Sequence, residues 1–186
     1  MSLDAVIKDT EARMEKAASV FREELKGLRT GRATPGLVEN LRVEQYGSPT
    51  PLKQIAQISI PEPQQILIKP FDPSTLKEIE KAIRSSDLGM SPNNDGKIIR
   101  LNVPGMSGDQ RQKLVTRVKK SAEDAKVSCR NIRRDANKGL EKTTKDLGLS
   151  EDEGKKAQEK VQNLLKKYEA AIQETADKKS KEIMET

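Results

Sequence analysis

The sequence predicts an α+β protein, an elongated three-helix bundle carrying an inserted small β/α/β domain. Three observations predict it. Apolar residues recur at alternating steps of three and four along three long stretches, aromatic residues make up only 2% of the chain, and most of the nine prolines fall between Pro49 and Pro92. Charged types account for 34% of the 186 residues and apolar types for 33%. A rounded core of this length would normally hold more apolar and aromatic mass. Charges of both signs are interspersed and the net charge is only +6, which argues against disorder. Long amphipathic helices, each burying a narrow stripe, satisfy both facts.

The first helix is expected over residues 2–29, where Leu3, Ile7, Thr10, Met14, Ala17, Phe21, Leu25 and Leu28 share one face. Thr30-Gly31-Arg32-Ala33-Thr34-Pro35-Gly36 ends it, because two glycines and a proline make continuation costly. Residues 37–103 then lose the helical period. Short β-branched runs appear at 41–43, 57–60, 65–68 and 98–101, separated by turn chemistry such as Tyr46-Gly47-Ser48-Pro49 and Asn94-Asp95-Gly96. Asp72-Pro73 supplies a cap and a first-turn proline for a helix carrying Leu76, Ile79 and Ile83 and ending near Ser85. Tyr46 and Phe71, the two aromatics of this module, are expected in its core.

The helical period returns at 107. Ser107 with Gln110, and Ser150 with Glu153, have capping-box spacing. The seam continues through Val115, Val118, Ala122, Ala125, Cys129, Ile132, Ala136 and Leu140, breaks at Leu147-Gly148-Leu149, and resumes through Ala157, Val161, Leu164, Tyr168, Ile172, Thr175 and Ile183. At 1.5 Å per residue the three rods measure roughly 40, 60 and 50 Å. None is stable alone, so residues 1–30 and 106–186 are expected to pack together. The short break favours an antiparallel hairpin within one chain over a dimeric coiled coil. Residues 31–105 are then an insertion, doubly connected near 29–35 and 103–106, which is the layout of a hinge. Gly139 falls inside the second rod, where it costs about 1 kcal/mol relative to alanine.

Positive charge concentrates on that rod. Residues 111–145 hold twelve basic and four acidic side chains, net +8, whereas 146–186 come to −2. Lys119, Lys126, Arg130, Arg133 and Asn137 step by seven, four, three and four, so they share a face beside the apolar seam. Few acids interleave between Lys126 and Arg134, so pairing along the helix leaves charge unneutralised. Arginine forks suit phosphate oxygens, and a row several turns long can follow a nucleic-acid backbone. With few aromatic platforms, contact with the backbone and shape of folded RNA fits better than single-strand reading.

Signals for chemistry are absent. Without histidine and with one cysteine, Cys129, the chain offers no Ser-His-Asp triad, Cys-His pair or conventional zinc site. Cys129 reads as a small core residue. Gly89 to Gly96 has the wrong spacing for a phosphate loop, and Asn93-Asn94-Asp95-Gly96 reads as a turn rather than a calcium loop. No catalytic residue, metal ligand or cofactor is expected. No apolar run approaches the ~18 residues of a membrane span, and the N-terminus lacks a signal-peptide layout. A cytoplasmic protein is expected.

Four segments, in order and at matching length, resemble the ribosome recycling factors of bacteria and organelles. They are Arg29-Thr30-Gly31-Arg32-Ala33-Thr34-Pro35, Tyr46-Gly47-Ser48-Pro49-Thr50-Pro51-Leu52, Ser86-Asp87-Leu88-Gly89-Met90-Ser91-Pro92-Asn93 and Arg130-Asn131-Ile132-Arg133-Arg134-Asp135-Ala136-Asn137. The start of the second rod, Met106 to Arg111, is less acidic than that family's usual run. The resemblance implies an L-shaped, tRNA-sized monomer that binds the large subunit of the post-termination ribosome. With elongation factor G and GTP hydrolysis by that factor, it splits the ribosome for recycling. It also implies that Arg133, supported by Arg130 and Arg134 and flanked by Lys126, Lys119 and Asn137, contacts ribosomal RNA. Arg29, Thr30, Gly31, Arg32, Pro104 and Gly105 would form the elbow, and elongation factor G would push the insertion. Membrane and DNA are not expected partners. The rival reading is a helical adaptor for protein partners whose basic face is incidental; salt dependence separates the two.

Overall fold

The computed structural model describes residues 2–185. Helix α1 runs Leu3–Lys26, three residues short of the expected end, with Val6, Thr10, Met14, Ala18, Phe21 and Leu25 buried. Helix α4 spans Gly108–Asp146 and α5 spans Glu151–Met184. The chain divides into two compact units, one built from residues up to Leu25 with Val115–Lys181, the other from Lys26–Leu114 with the residues from Glu182 onward. Both divisions near the crossings fall inside helices rather than in the intervening loops.

In the helical unit the expected rhythm holds, with small shifts. Ala18 rather than Ala17, Leu165 rather than Leu164, and Ala176 rather than Thr175 are the buried partners. Each shift is one residue, the rotation by which a real 3.6-residue period departs from an idealised step. Thr10 is tolerated in the seam because its hydroxyl donates to the Val6 carbonyl at 2.7 Å. Helix α4 continues unbroken through Gly139, where an added Cβ would meet Val6 Cγ1 at 3.6 Å, an ordinary contact. Gly139→Ala is therefore expected to raise stability by about 1 kcal/mol through helix propensity, a rise of about 2–4 °C in thermal midpoint by circular dichroism.

Both capping boxes form. Gln110 N donates to Ser107 Oγ at 3.3 Å while Ser107 N donates to Gln110 Oε1 at 3.0 Å. Ser150 and Glu153 reciprocate at 3.0 and 3.3 Å. The break between the rods is a turn in which Gly148 takes φ +62 and Leu149 N reaches back to the Thr144 carbonyl at 3.0 Å, closing the open carbonyls of the helix end.

In the other unit, β1 (Arg42–Gln45) and β2 (Ser48–Pro51) form a hairpin, followed by the one-turn helix α2 (Leu52–Ile55). Strands β3 (Ala56–Glu62), β4 (Gln65–Pro70), β5 (Pro92–Asn94) and β6 (Ile99–Asn102) make an antiparallel sheet in the order β3-β4-β6-β5. Register pairs Ile66 with Leu101 and Ile68 with Ile99, and all four are fully buried, as period-two alternation requires. Helix α3 (Leu76–Ser85) adds Leu76, Ile79 and Ile83 to the same core. Asp72 caps its entry by accepting from Ser74 N at 2.9 Å, although the capped turn is a 3-10 turn, Pro73–Thr75, rather than α3 itself. At the Asn94–Gly96 turn the carboxylate of Asp95 is occupied by the amides of Lys97 and Ile98.

The core of this unit holds aliphatic side chains and Met90, with no aromatic ring. Contrary to expectation, Tyr46 and Phe71 lie outside it, 84% and 68% exposed. Aromaticity suggested burial, but the sheet and α3 close over Ile, Leu and Val without them.

Candidate nucleic-acid interface

Helix α4 is held in its unit by neighbours on two sides. Ser121 Oγ donates to Glu24 of α1 at 2.9 Å, and Asp135 accepts from Arg13 of α1 at 3.2 Å. The opposite edge meets α5, and the row Lys126, Arg130, Arg133 and Asn137 runs along it. Lys126 Nζ donates to Gln173 Oε1, Arg130 Nε to Glu169 Oε1 at 2.7 Å, and Arg133 Nη1 to Gln162 Oε1 at 3.2 Å. All four residues are half-buried. Arg133 Nε and Asn137 Oδ1 are buried without a hydrogen-bond partner.

Arg130 is the correction here. Its guanidinium bridges Glu169 and, at 2.8 Å, Glu123, and these hydrogen bonds, Glu123 first, push its ionisation still higher. Its charge is neutralised locally. The expectation that pairing would leave the row uncompensated counted acids along α4 and not the carboxylate that α5 supplies. Glu169 also helps burial push the Cys129 thiol up, burial being the larger cause; Cys129 is fully buried in the seam.

Lys119 and Arg134 are different. Both are exposed, and neither makes a hydrogen bond or ion pair among the described residues. Arg134 sits one residue further round the helix than Arg133, and there it joins cations that the row omits. Lys113, Lys120, Lys138 and Lys145 are each exposed and likewise unpaired among the described residues. At 100° per residue Lys120, Lys138 and Lys145 fall within about 40° of Arg134 and Lys113 within about 60°, opposite the buried seam of Val118, Cys129, Ala136 and Leu140. Here is the free cationic ridge of α4. The signal for it was angular: cations a half-turn from the seam stay in solvent, whereas those beside it meet the next helix.

The proposed elbow residues all fall in the Lys26–Leu114 unit. Gly31 takes φ +81, and a Cβ there would sit 3.4 Å from Met106 N and 3.8 Å from Gly105 Cα, so the two crossing segments run side by side. Ala33 N and Val103 N tie them to the β3–β4 turn through the Pro63 and Gln64 carbonyls at 2.7 and 2.8 Å. Arg29 and Arg32 are exposed, as are Pro104 and Gly105, while Thr30 is buried with its hydroxyl unpartnered.

On the same bundle, Tyr168 is buried and its pKa is pushed up to about 12, chiefly by burial and then by its hydrogen bond to Glu15. A raised phenol pKa contributes stability fully present below the unfolded value near 10 and lost as pH rises through about 12. Tyr168→Phe is expected to remove that alkaline loss, read as a flatter thermal midpoint between pH 10 and 12.

The fold and the charge distribution define a class: a helical bundle with a cationic rod, interrupted by a small β-sheet module, with no helix long and apolar enough to cross a membrane among the described residues. Comparison with known proteins makes the assignment specific. Residues 21–184 match the Ribosome recycling factor family, and the chain belongs to it. It is 50% identical over 180 residues to the ribosome-recycling factor of Symbiobacterium thermophilum, covering 97% of each chain. It is 62% identical over 138 residues to that of Rhodopirellula baltica, covering 74% of each. A solution structure of the ribosome recycling factor superposes with TM-score 0.82 at 40% identity, covering 100% of this chain and 99% of that one. Models for the T. thermophilus ribosome recycling factor and the E. coli elongation factor G bound to the E. coli post-termination complex give TM-score 0.71 at 42% identity, covering 99% of this chain and 100% of that one.

Proposed function

We propose that this chain is a non-enzymatic, cytoplasmic translation factor that binds the post-termination ribosome as a monomer. With elongation factor G and GTP hydrolysis by that factor, it splits the ribosome into subunits. The single observation that carries the reading is the match to a relative bound, with elongation factor G, to the post-termination complex. The charge on α4 supports it. In this reading the large-subunit ribosomal RNA is held by Arg133 and Arg134, with Lys119 alongside and Arg130, Lys126 and Asn137 lining the α5 edge. Arg133 is a pre-ordered fork: Gln162 fixes one nitrogen, so less rotamer freedom remains to be lost on contact. Arg130 and Lys126 contribute after exchanging their α5 partners for phosphate. The unpaired ridge at Lys113, Lys120, Lys138 and Lys145 extends the attraction. Rotation of the 31–105 insertion about Arg29–Arg32 and Pro104–Gly105 then transmits force from the partner GTPase, needing neither cofactor, metal, DNA nor membrane.

The test is subunit dissociation followed by light scattering, with and without elongation factor G and GTP. Splitting that requires all three components is the expected result. A chain that binds no ribosomes, or whose binding is indifferent to salt between about 50 and 200 mM, would overturn the reading in favour of a protein adaptor.

A further inference from the structure

The β1–β2 turn gives up stability to display a tyrosine. Tyr46 takes φ 48 and Gly47 φ 80, and Tyr46 is the one non-glycine residue with positive φ among the described residues. A two-residue hairpin turn with both residues left-handed favours Asn-Gly; a bulky ring at the first position costs on the order of 1 kcal/mol. The ring gains no burial in return, being the most exposed large apolar side chain in the described chain. Local rules broken without a packing gain point to an external partner.

The surroundings define that partner. Tyr46 Oη donates to Asp72 Oδ2 at 2.8 Å, and Asp72 Oδ1 accepts from Ser74 N at 2.9 Å. With the Ser74 hydroxyl also bonded to it, the carboxylate keeps one of its roughly four acceptor directions free. The amide and hydroxyl of Ser74, then Tyr46, hold Asp72 below the usual carboxylate range, so it is charged at neutral pH. Glu44, two residues before the turn, is exposed and adds negative charge. A phosphate backbone is repelled from such a tip. A guanidinium fits: its plane stacks on the tyrosine face while one of its N–H groups takes the open acceptor direction of the charged carboxylate.

We propose that Tyr46 and Asp72 form a docking point for an arginine side chain presented by a protein partner during ribosome splitting. The proposal deepens the function proposed above and rests on it for the occasion of contact. The competing role is a clasp tying the hairpin to the start of the Pro73–Thr75 turn, and Tyr46→Asn separates the two. Asparagine suits the left-handed position, so the folded protein keeps or raises its thermal midpoint, whereas loss of a structural clasp lowers it. Large-subunit binding should stay within about twofold. Splitting driven by elongation factor G should fall on the order of tenfold, the loss typical of an interface anchor; Tyr46→Phe, which keeps the ring, should lose less, and Asp72→Asn should lose splitting as Tyr46→Asn does. Splitting by Tyr46→Asn at the unaltered rate, or a fall in its midpoint that accounts for the loss, overturns the proposal. So does a photo-crosslinker at position 46 that attaches to RNA rather than protein. An independent arm titrates acetyl-arginine amide onto the full chain by nuclear magnetic resonance. Saturable shifts at Tyr46 and Asp72, absent in Asp72→Asn, support the docking point; shifts no larger there than elsewhere overturn it. If the unaltered chain fails to split ribosomes, the recycling function falls and this titration still decides the docking point.

Discussion

Replacing Arg133 and Arg134 together by glutamine is expected to weaken binding to large ribosomal subunits roughly a hundredfold at about 0.1 M salt. Each phosphate contact contributes a salt slope near 0.9, so each one lost costs close to tenfold at that concentration, and the slope itself should fall by about 2. The two single variants should differ in a second readout. Arg134 is exposed and unpaired among the described residues, so Arg134→Gln should leave the thermal midpoint unchanged. Arg133 lies half-buried along α5 and bonds Gln162, so Arg133→Gln should also cost about 1 kcal/mol of stability. Charge reversal at 133 would set a carboxylate into that half-buried edge and confound binding with folding, which makes glutamine the cleaner probe. Arg130→Gln should weaken binding less than either, since its charge is already met by Glu123 and Glu169. Equal, salt-independent losses at 130, 133 and 134 would show that the row serves the α4–α5 packing and not RNA.

That ordering was not legible in the sequence, and the reason is physical. Local chemistry could be read: Ser107 and Gln110, Ser150 and Glu153, and Leu147-Gly148-Leu149 each act within a few residues, and each forms as its spacing predicts. Helical periods could be read too, to within one residue. Partners across the fold could not. Glu169 lies 39 residues from Arg130, so no pattern along α4 reveals its share of the neutralisation; only Glu123, seven residues before Arg130 on the same helix, could have been read from spacing. Tyr46 and Phe71 failed for the opposite reason, since composition speaks of average burial and not of the site at hand. Strand β5, Pro92–Asn94, has no apolar alternation to announce it; it is a sheet edge recruited by pairing with β6. The free ridge at Lys120, Arg134 and Lys138 could have been found by angle alone, by taking the cations furthest from the buried seam.

Leu140→Ala is expected to lower the stability of the helical unit by about 2–5 kcal/mol. Leu140 is fully buried in α4 and packs in a cluster with Val6 of α1 and Ala157 and Val161 of α5. Three of its neighbours there, Val6, Ala136 and Ala157, are small, and Gly139 stands beside Val6. The large side chains at hand, Leu3 and Ile7, are only partly buried at the edge of the cluster, and its buried members are small, so collapse should be incomplete and the cavity cost substantial. The same substitution in a core rich in flexible Met or aromatic rings would be partly relieved. Each kcal/mol corresponds to about 2–4 °C for a chain of this length, so thermal circular dichroism at a helical wavelength should register a fall of many degrees. Hydrogen exchange should locate it, with protection lost first at amides of α1, α4 and α5 around Val6, Ala136 and Val161. A loss below about 1 kcal/mol would mean that the three rods repack freely, and with them the angular separation of paired and free cations on α4.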